Sequence, residues 1–152
     1  MRSALGLTPL AHSAAVDPTS LPNRPPALCP GCPHIDSYAA LTEAMAQFPN
    51  GKVYSDIGCY TLGAYPPYEA IGTCLCMGAS VSMAKGASDG GVFPAVAVIG
   101  DSTFAHSGLT PLLSAVADNA PITVFILDNG TVAMTGGQQT AASDEQLNAI
   151  VA

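Results

Sequence analysis

Short apolar runs alternate along the chain with segments of helical periodicity, and turns rich in Gly, Pro and Asn separate them. Residues 94–99 form a continuous apolar run, the pattern of a strand buried on both faces of a parallel sheet, and residues 122–127 predict a second buried strand. Residues 52–57 form a shorter run that predicts a further strand. Because strands alternate with helices, the pattern predicts an α/β fold, a three-layer structure in which helices flank a parallel sheet.

Helical periodicity marks four segments of the chain. Asp36 or Ser37 is predicted to cap the first helix, which extends to about Phe48. The second covers 74–87, where small residues and Met predict close packing, and the third covers 109–118. Ser143 with Gln146 forms a capping box for the last helix. The apolar side of the first helix is predicted to consist of Ala40, Leu41, Ala44, Met45 and Phe48.

The loops and the beginning of the chain have their own signals. Residues 58–72, rich in Tyr, Pro and Gly, predict a long loop. Residues 1–26, punctuated by Pro18, Pro22, Pro25 and Pro26, are interpreted as a linker or ragged lead-in, in which His12 is expected to be exposed and without a role. Residues 27–152 are then one domain with a single core, since a chain of 152 residues fits one domain.

Charge is scarce in this sequence. Charged residues make up 10% of the chain, whereas about 25% is typical of soluble domains. The low fraction predicts that a partner subunit, a second domain or neighbouring sequence covers part of the surface, so we expect an oligomer. The net charge of −7 excludes nucleic acid and anionic membrane surfaces as partners, because both require clustered Lys and Arg.

Two further compositional features narrow the class of protein. No apolar run approaches the roughly 20 residues that a membrane-spanning helix needs, so no membrane association is expected. The five cysteines are an odd number and unevenly spaced. They favour metal, cluster or core roles over a disulfide framework, and with them a cytoplasmic location.

Polar residues that could bind a metal follow the two most apolar strands. Gly100 and Asp101 follow the first of these strands, and Asp128 and Asn129 follow the second. Carboxyl ends of parallel strands form the ligand-binding edge of such a sheet, so these side chains should be neighbours in space. A carboxylate and an amide oxygen suit Mg²⁺, and backbone amides at the start of a helix suit phosphate. The alternative is that both are ordinary turn residues at strand ends.

Several motifs, in the same order, resemble a known family. Gly100-Asp101-Ser102 followed by Asp128-Asn129 is similar to the Gly-Asp-Gly and Asn-Asn fingerprint of thiamine diphosphate enzymes. Residues 24–138 resemble the C-terminal thiamine diphosphate domain of the α-subunit of indolepyruvate:ferredoxin oxidoreductases, in the 2-oxoacid:ferredoxin oxidoreductase family. The segments that carry this resemblance are 29–34 (CPGCPH), 56–63 (DIGCYTLG), 74–79 (CLCMGA), 100–108 (GDSTFAHSG) and 133–138 (AMTGGQ).

The resemblance implies a magnesium and cofactor site. It assigns Asp101, the Asn129 side chain and the main-chain oxygen of Thr131 to Mg²⁺, which in turn holds the diphosphate. The further cofactor-binding residues that it implies are Cys59, Met77, Gly78, Gly100, Ser102 and Thr103. Two positions depart from the usual fingerprint, since Ser102 replaces a Gly and Asp128 replaces an Asn, but neither is an implied metal ligand.

Cysteines and histidines supply the remaining candidates. In related enzymes a Cys-x-x-Cys and a later Gly-Cys help to ligate a [4Fe–4S] cluster, which makes Cys29, Cys32 and Cys59 possible cluster ligands. A cluster needs four thiolates, and Cys74 and Cys76 are predicted to be buried on the second helix. The alternative is therefore that Cys29, Cys32 and Cys59 shape the cofactor pocket.

Three other side chains carry two interpretations each. His34 and His106 lie in family motifs and are candidate catalytic acid–base groups, because His titrates near neutral pH; a purely structural hydrogen bond is the alternative for both. Met77 matches a residue that props the cofactor in related enzymes, and its alternative is a core position. Ile35 stands where the family usually has Arg, which argues against recognition of a substrate carboxylate by this loop.

The resemblance implies oxidative decarboxylation of an aryl pyruvate such as indolepyruvate, with electrons passing to ferredoxin and the acyl group to coenzyme A. Activation of the cofactor requires a Glu beside its aminopyrimidine ring, and none of Glu43, Glu69 and Glu145 resembles that Glu. We therefore expect a partner domain or subunit to supply it, and the isolated chain to be incomplete as a catalyst. A non-oxidative decarboxylase or ligase half and a non-catalytic remnant of the fold are the alternatives.

Overall fold

The computed structural model describes Gly6, Thr8 and residues 17–23, 25–142 and 144–152. His12, whose exposure was predicted, and Ser143, predicted to cap the last helix, lie outside the described residues. Within them, no helix is both long enough and apolar enough to span a membrane.

A parallel four-stranded sheet forms the centre of the fold. Its strands are β1 (Lys52–Ser55), β2 (Thr73–Cys74), β3 (Ala95–Gly100) and β4 (Ile122–Leu127). They lie in the order β2-β1-β3-β4, and every neighbouring pair is parallel. A separate antiparallel hairpin consists of β5 (Thr131–Val132) and β6 (Gln138–Gln139). The predicted parallel sheet is confirmed.

Helices cover both faces of the sheet. They are α1 (His34–Met45), α2 (Ala79–Asp89), α3 (Asp101–Thr103), α4 (Leu109–Ala117) and α5 (Asp144–Val151). A π-helical turn, Phe104–Gly108, joins α3 to α4, and 3₁₀ turns cover Pro18–Ser20, Cys59–Ala64 and Ala133–Thr135. The helix predicted over 109–118 corresponds to α4, and further helical turns precede it from Asp101, directly at the end of β3.

Alternate side chains of β3 build the two halves of the core. Ala95, Ala97 and Ile99 pack with buried residues of α2, α5 and the π-turn. Val96 and Val98 point to the other face, where they pack with buried residues of α1, β1 and the Cys59–Ala64 turn. All six residues of β3 are buried, as expected for a strand between two helical layers. The three-layer α/β prediction is confirmed.

The first helix differs from its prediction at both ends. It begins at His34, behind Pro33, and ends at Met45; no side chain caps it, so neither Asp36 nor Ser37 does so. Proline is favoured at a helix start because its fixed φ matches the helix, and Pro33 has a φ of −63°. The buried face consists of His34 and Tyr38, with Leu41 and Met45 half-buried, whereas Ala40, Ala44 and Phe48 are exposed.

The segment predicted as a helix over 74–87 is divided into two elements. Thr73–Cys74 is a strand paired with β1, and the helix begins only at Ala79. Gly78 has a φ of +85°, which interrupts helical geometry before α2. Cys74 is therefore half-buried on a strand, and Cys76 is exposed in a turn. The prediction that both are buried on a helix is wrong.

Two other strand predictions and one loop prediction need correction. Strand β4 has the predicted bounds, but only Leu127 in it is buried, because β4 is the last strand on its side of the described sheet. Strand β1 ends at Ser55 rather than at residue 57. The next residue, Asp56, is buried and accepts a side-chain hydrogen bond from Ser80. The loop predicted over 58–72 contains the 3₁₀ turn Cys59–Ala64.

Candidate functional site

The ends of β3 and β4 bring the predicted metal-binding residues together. Asp101 follows β3 directly, and the Gly130 amide donates a hydrogen bond to Asp101 Oδ2 at 3.1 Å and another to Asp128 Oδ1 at 3.0 Å. The Thr131 amide donates to Asn129 Oδ1 at 3.1 Å. Gly130 has a φ of +66°, so glycine allows the tight turn that connects β4 to β5. The prediction that these residues are neighbours is confirmed.

These residues line one side of a cavity of about 210 Å³. Ligand sites that enclose a drug-sized molecule measure roughly 300–1,000 Å³, so this cavity accommodates only part of such a ligand. Its polar and glycine lining comprises His34, Gly58, Cys59, Tyr60, Gly100, Asp101, Ser102, Thr103, Asn129, Thr131 and Thr135. Its apolar lining comprises Ile57, Met77, Leu127, Val132, Ala133 and Met134.

Asp101 contributes a buried carboxyl group to this edge of the sheet. Asp101 is only 3% exposed, and burial, followed by the nearby charge of Asp128, raises the pKa of its carboxyl group. Among the described residues that line the cavity, none is Lys or Arg. A diphosphate in the cavity would therefore meet the Asp101 carboxylate with no Lys or Arg among the described lining residues. A divalent cation between them removes this repulsion, so the donor set fits Mg²⁺ with a phosphate ligand.

A chain of side-chain contacts crosses the cavity from α1 to the end of β4. His34 Nε2 lies 3.4 Å from Cys59 Sγ, and Asn129 Nδ2 lies 3.8 Å from the same sulfur. His34 is 2% exposed, and burial lowers the pKa of its imidazole, which favours the neutral ring. Burial also raises the pKa of the Cys59 thiol, with a further contribution from the charges of Cys32 and Cys29. The arrangement holds a neutral thiol and a neutral imidazole at the cavity wall.

The predicted cluster ligands differ in their relation to the cavity. Cys59 lines it, whereas Cys29 and Cys32 do not; all three are free thiols, and Cys29 is exposed. In the part of the chain that the structure describes, no three His, Cys, Asp or Glu side chains converge as a metal-binding group. A cluster held by these cysteines therefore stays a prediction that needs ligands from elsewhere.

The Met77–Gly78 turn lies against the π-helical turn. Met77 lines the cavity and is 43% exposed, which does not match a core position. The Ser107 hydroxyl donates to the Met77 carbonyl oxygen at 3.0 Å. Gly78, next to Met77, does not itself line the cavity.

His106 is exposed, lies outside the cavity and contacts Ser107 Oγ at 3.0 Å through Nδ1. Sequence motifs alone thus did not separate His34, at the cavity, from His106, outside it.

Asp56, Tyr60 and Ser80 form a buried network that the sequence analysis did not single out as part of the site. Asp56 is fully buried at the end of β1, where it accepts hydrogen bonds from the hydroxyl groups of Tyr60 and Ser80. Burial raises the pKa of the Asp56 carboxyl group, although the hydrogen bonds from Ser80 and Tyr60 oppose this. Its position in the sequence could have indicated Asp56 as a site residue, because Asp56 follows a strand just as Asp101 does.

A model of the family "Thiamine pyrophosphate enzyme, C-terminal TPP binding domain" matches residues 56–150. A solved structure with a similar fold is a 2-oxoglutarate:ferredoxin oxidoreductase from Magnetococcus marinus. The TM-score is 0.64 at 22% identity, over 80% of this chain and 43% of that one. At this identity the likeness concerns the fold alone.

Curated relatives are more similar in sequence. The indolepyruvate oxidoreductase subunit IorA of Methanothermobacter marburgensis is 45% identical over 147 residues, 90% of this chain and 23% of the relative. The subunit from Archaeoglobus fulgidus is 46% identical over 117 residues, 77% of this chain and 19% of the relative. That from Pyrococcus abyssi is 39% identical over 139 residues, 82% of this chain and 21% of the relative.

The chain spans about a fifth of the length of these curated relatives. The family model covers well over half of the 152 residues, including both strand ends that carry Asp101 and Asn129. The chain therefore belongs to the thiamine pyrophosphate enzyme family, as a C-terminal TPP binding domain.

Proposed function

We propose that this chain binds the diphosphate of thiamine diphosphate through Mg²⁺, as one domain of a 2-oxoacid:ferredoxin oxidoreductase. The observation that carries the proposal is the convergence of Asp101, Asn129 and Thr131 on one cavity at the carboxyl ends of β3 and β4. Asp101, the side chain of Asn129 and the main-chain oxygen of Thr131 would hold the metal. Mg²⁺ commonly takes one or two protein side chains and phosphate oxygens, which fits this set.

The remaining cavity residues would orient the cofactor. When bound, thiamine diphosphate supplies the carbon nucleophile that allows a 2-oxoacid to lose CO₂. Gly100, Ser102 and Thr103 lie where backbone groups at the start of α3 face the cavity, which suits a phosphate. The apolar wall, including Met77, excludes water from the organic part of the cofactor. His34 beside Cys59 is positioned to hold or accept a proton at Nε2, and the exposed His106 is not placed to act within this cavity.

The substrate and partners are also part of the proposal. Identity of 38–46% to indolepyruvate oxidoreductase subunits supports an aryl pyruvate substrate, and with it coenzyme A and ferredoxin as co-substrate and electron acceptor. The cavity accommodates only part of a cofactor, which supports completion by a domain or subunit that carries the activating Glu. A [4Fe–4S] cluster at Cys29, Cys32 and Cys59 would likewise need an external ligand. The five free cysteines are consistent with the predicted cytoplasmic location.

Calorimetric titration of the chain tests the proposal with three probes, namely thiamine diphosphate, inorganic diphosphate and thiamine without phosphate, each with and without Mg²⁺. Both diphosphates should bind only with Mg²⁺, and thiamine should not bind measurably. Asp101→Asn keeps the shape of the side chain but removes its charge, so it should weaken both diphosphates by roughly tenfold or more.

Asp89→Asn is the matched control, because Asp89 is exposed and Lys85, its ion-pair partner, keeps Asp118. It should leave binding unchanged. Metal-independent binding, or equal binding by Asp101→Asn, would contradict the proposed metal site. No diphosphate binding by the folded chain at millimolar Mg²⁺ and ligand would favour the alternative of a non-catalytic remnant.

A further inference from the structure

Asp56 is the most completely enclosed carboxyl group among the described residues, and it touches none of the proposed metal ligands directly. It is 0% exposed. One carboxylate oxygen accepts a hydrogen bond from Tyr60 Oη. The other accepts from Ser80 Oγ at 2.6 Å and from the Ser80 amide at 3.4 Å. A buried carboxylate is costly unless its hydrogen-bonding capacity is satisfied, so this arrangement specifies the positions of its partners closely.

The Tyr60 bond fixes one wall of the cavity. Ile57, Gly58, Cys59 and Tyr60 all line it, and they follow Asp56 directly in the chain. The main-chain oxygen of Asp56 also accepts a hydrogen bond from Thr61 Oγ1 at 2.6 Å. Asp56 therefore fixes the 57–60 loop through hydrogen bonds to both its side chain and its main-chain oxygen. A Cβ on Gly100 would lie 2.5 Å from Tyr60 Cε1, so the tyrosine ring packs directly beneath the end of β3.

The Ser80 bonds fix a second wall. Ser80 is in the first turn of α2, and the Met77–Gly78 turn precedes this helix. By accepting from the Ser80 amide and hydroxyl group, the Asp56 carboxylate anchors the amino end of α2, as a capping side chain does. The buried Asp56 carboxylate thus links the helix that follows Met77, which lines the cavity, to the 57–60 loop.

We infer that Asp56 is a positioning residue, which sets the distance between the 57–60 loop and the Met77–Gly78 turn and so shapes the wall that receives the organic part of the cofactor. The inference rests on the proposed function. It separates two contributions to binding. Asp101, Asn129 and Thr131 hold the metal and diphosphate, whereas the Asp56 network acts only on what extends beyond the diphosphate.

The two probes of the proposed function distinguish these contributions. The ratio of the affinities for Mg²⁺–thiamine diphosphate and Mg²⁺–inorganic diphosphate measures how much the wall contributes. Asp56→Asn and Tyr60→Phe should each reduce the affinity for thiamine diphosphate by about tenfold, the lower end of losses on removing outer-shell partners. Both should leave the affinity for inorganic diphosphate within about threefold of the unmodified chain, since the hydrogen bonds between Asp56, Tyr60 and Ser80 do not involve the proposed metal ligands and Phe keeps the ring beneath Gly100.

Val81→Ala is the control for a merely structural effect. Val81 is fully buried on α2 and packs in the core on the other side of the helix start, so its truncation should lower the melting temperature without changing the affinity ratio. An equal loss for both probes in Asp56→Asn, or an unchanged ratio in Asp56→Asn and Tyr60→Phe, would overturn the positioning role. So would equal affinity of the unmodified chain for the two probes. Failure of the proposed function appears differently, as absence of inorganic diphosphate binding to the unmodified chain.

Discussion

Replacement of Gly78 by Ala should destabilise the protein strongly, because this position combines an unusual backbone conformation with a close neighbour. Gly78 has a φ of +85°, and an added Cβ would lie 2.7 Å from Ser107 Cβ and closer still to Ser107 Oγ. A left-handed conformation costs an L-residue roughly 1–2 kcal/mol. Forcing an extra methyl group into a packed contact costs typically about 1–3 kcal/mol. The sum is a loss of about 2–5 kcal/mol in the free energy of unfolding.

Thermal unfolding followed by circular dichroism measures this loss. A domain of this size loses roughly 2–4 °C of melting temperature for each kcal/mol, so Gly78→Ala should melt about 10 °C lower. Ser107→Gly in the Gly78→Ala background should recover the steric part and leave the backbone part. Gly86→Ala is the matched control on α2, since nothing lies within 4 Å of its added Cβ and Ala is favoured in a helix interior. A fall of less than about 2 °C for Gly78→Ala would refute the close approach.

Two further predictions concern pH. Burial raises the pKa of the Asp56 carboxyl group above its ordinary value of 3.8, so the stability it contributes is present below 3.8 and is lost as the pH rises through the folded-state pKa. The free energy of unfolding should be measured for Asp56→Asn and for the unmodified chain, near pH 4 and near pH 7. Relative to the unmodified chain, the variant should be more stable at the higher pH than at the lower one. An equal difference between the two proteins at both pH values would contradict this. Burial lowers the pKa of His34 below 6.5, so stability should fall as the pH drops below about 6.5 toward the folded-state pKa. The same titration of His34→Gln should lack this component, and an identical profile for both proteins would count against it.

The strands could be predicted where the hydrophobic pattern of the segment itself was sufficient to identify them. Strand β4 has the predicted bounds, and β3 differs by one residue at each end, because continuous apolar runs of this length fit few alternatives. The segment 74–78 was mispredicted because small residues and Met are compatible with a helix or a strand. Pairing of Thr73–Cys74 with β1 and the positive φ of Gly78 decided the outcome, and neither is visible in composition.

The candidate site divides in the same way. Asp101 and Asn129 could be brought together from the sequence, because the carboxyl ends of adjacent parallel strands meet at one edge. The Asp56 network could not, because Asp56 and Ser80 are 24 positions apart and their contact depends on where α2 begins. The start of α2 was predicted wrongly, so Ser80 could not be identified as a partner of Asp56. A residue whose role depends on a single contact across the fold can be predicted only when the helix boundaries are predicted correctly.

Metal dependence of diphosphate binding follows from where the cationic side chains lie. Of the four Lys and Arg residues, Arg2 and Arg24 lie outside the described residues. Lys85 pairs with Asp89 and Asp118 at 2.9 Å each, and Lys52 begins β1, at the end of the strand away from the cavity. Asp101 therefore lines the cavity with no Lys or Arg among the described lining residues. Because a divalent ion is expected to bridge the Asp101 carboxylate and the diphosphate, chelation of Mg²⁺ should abolish binding rather than weaken it.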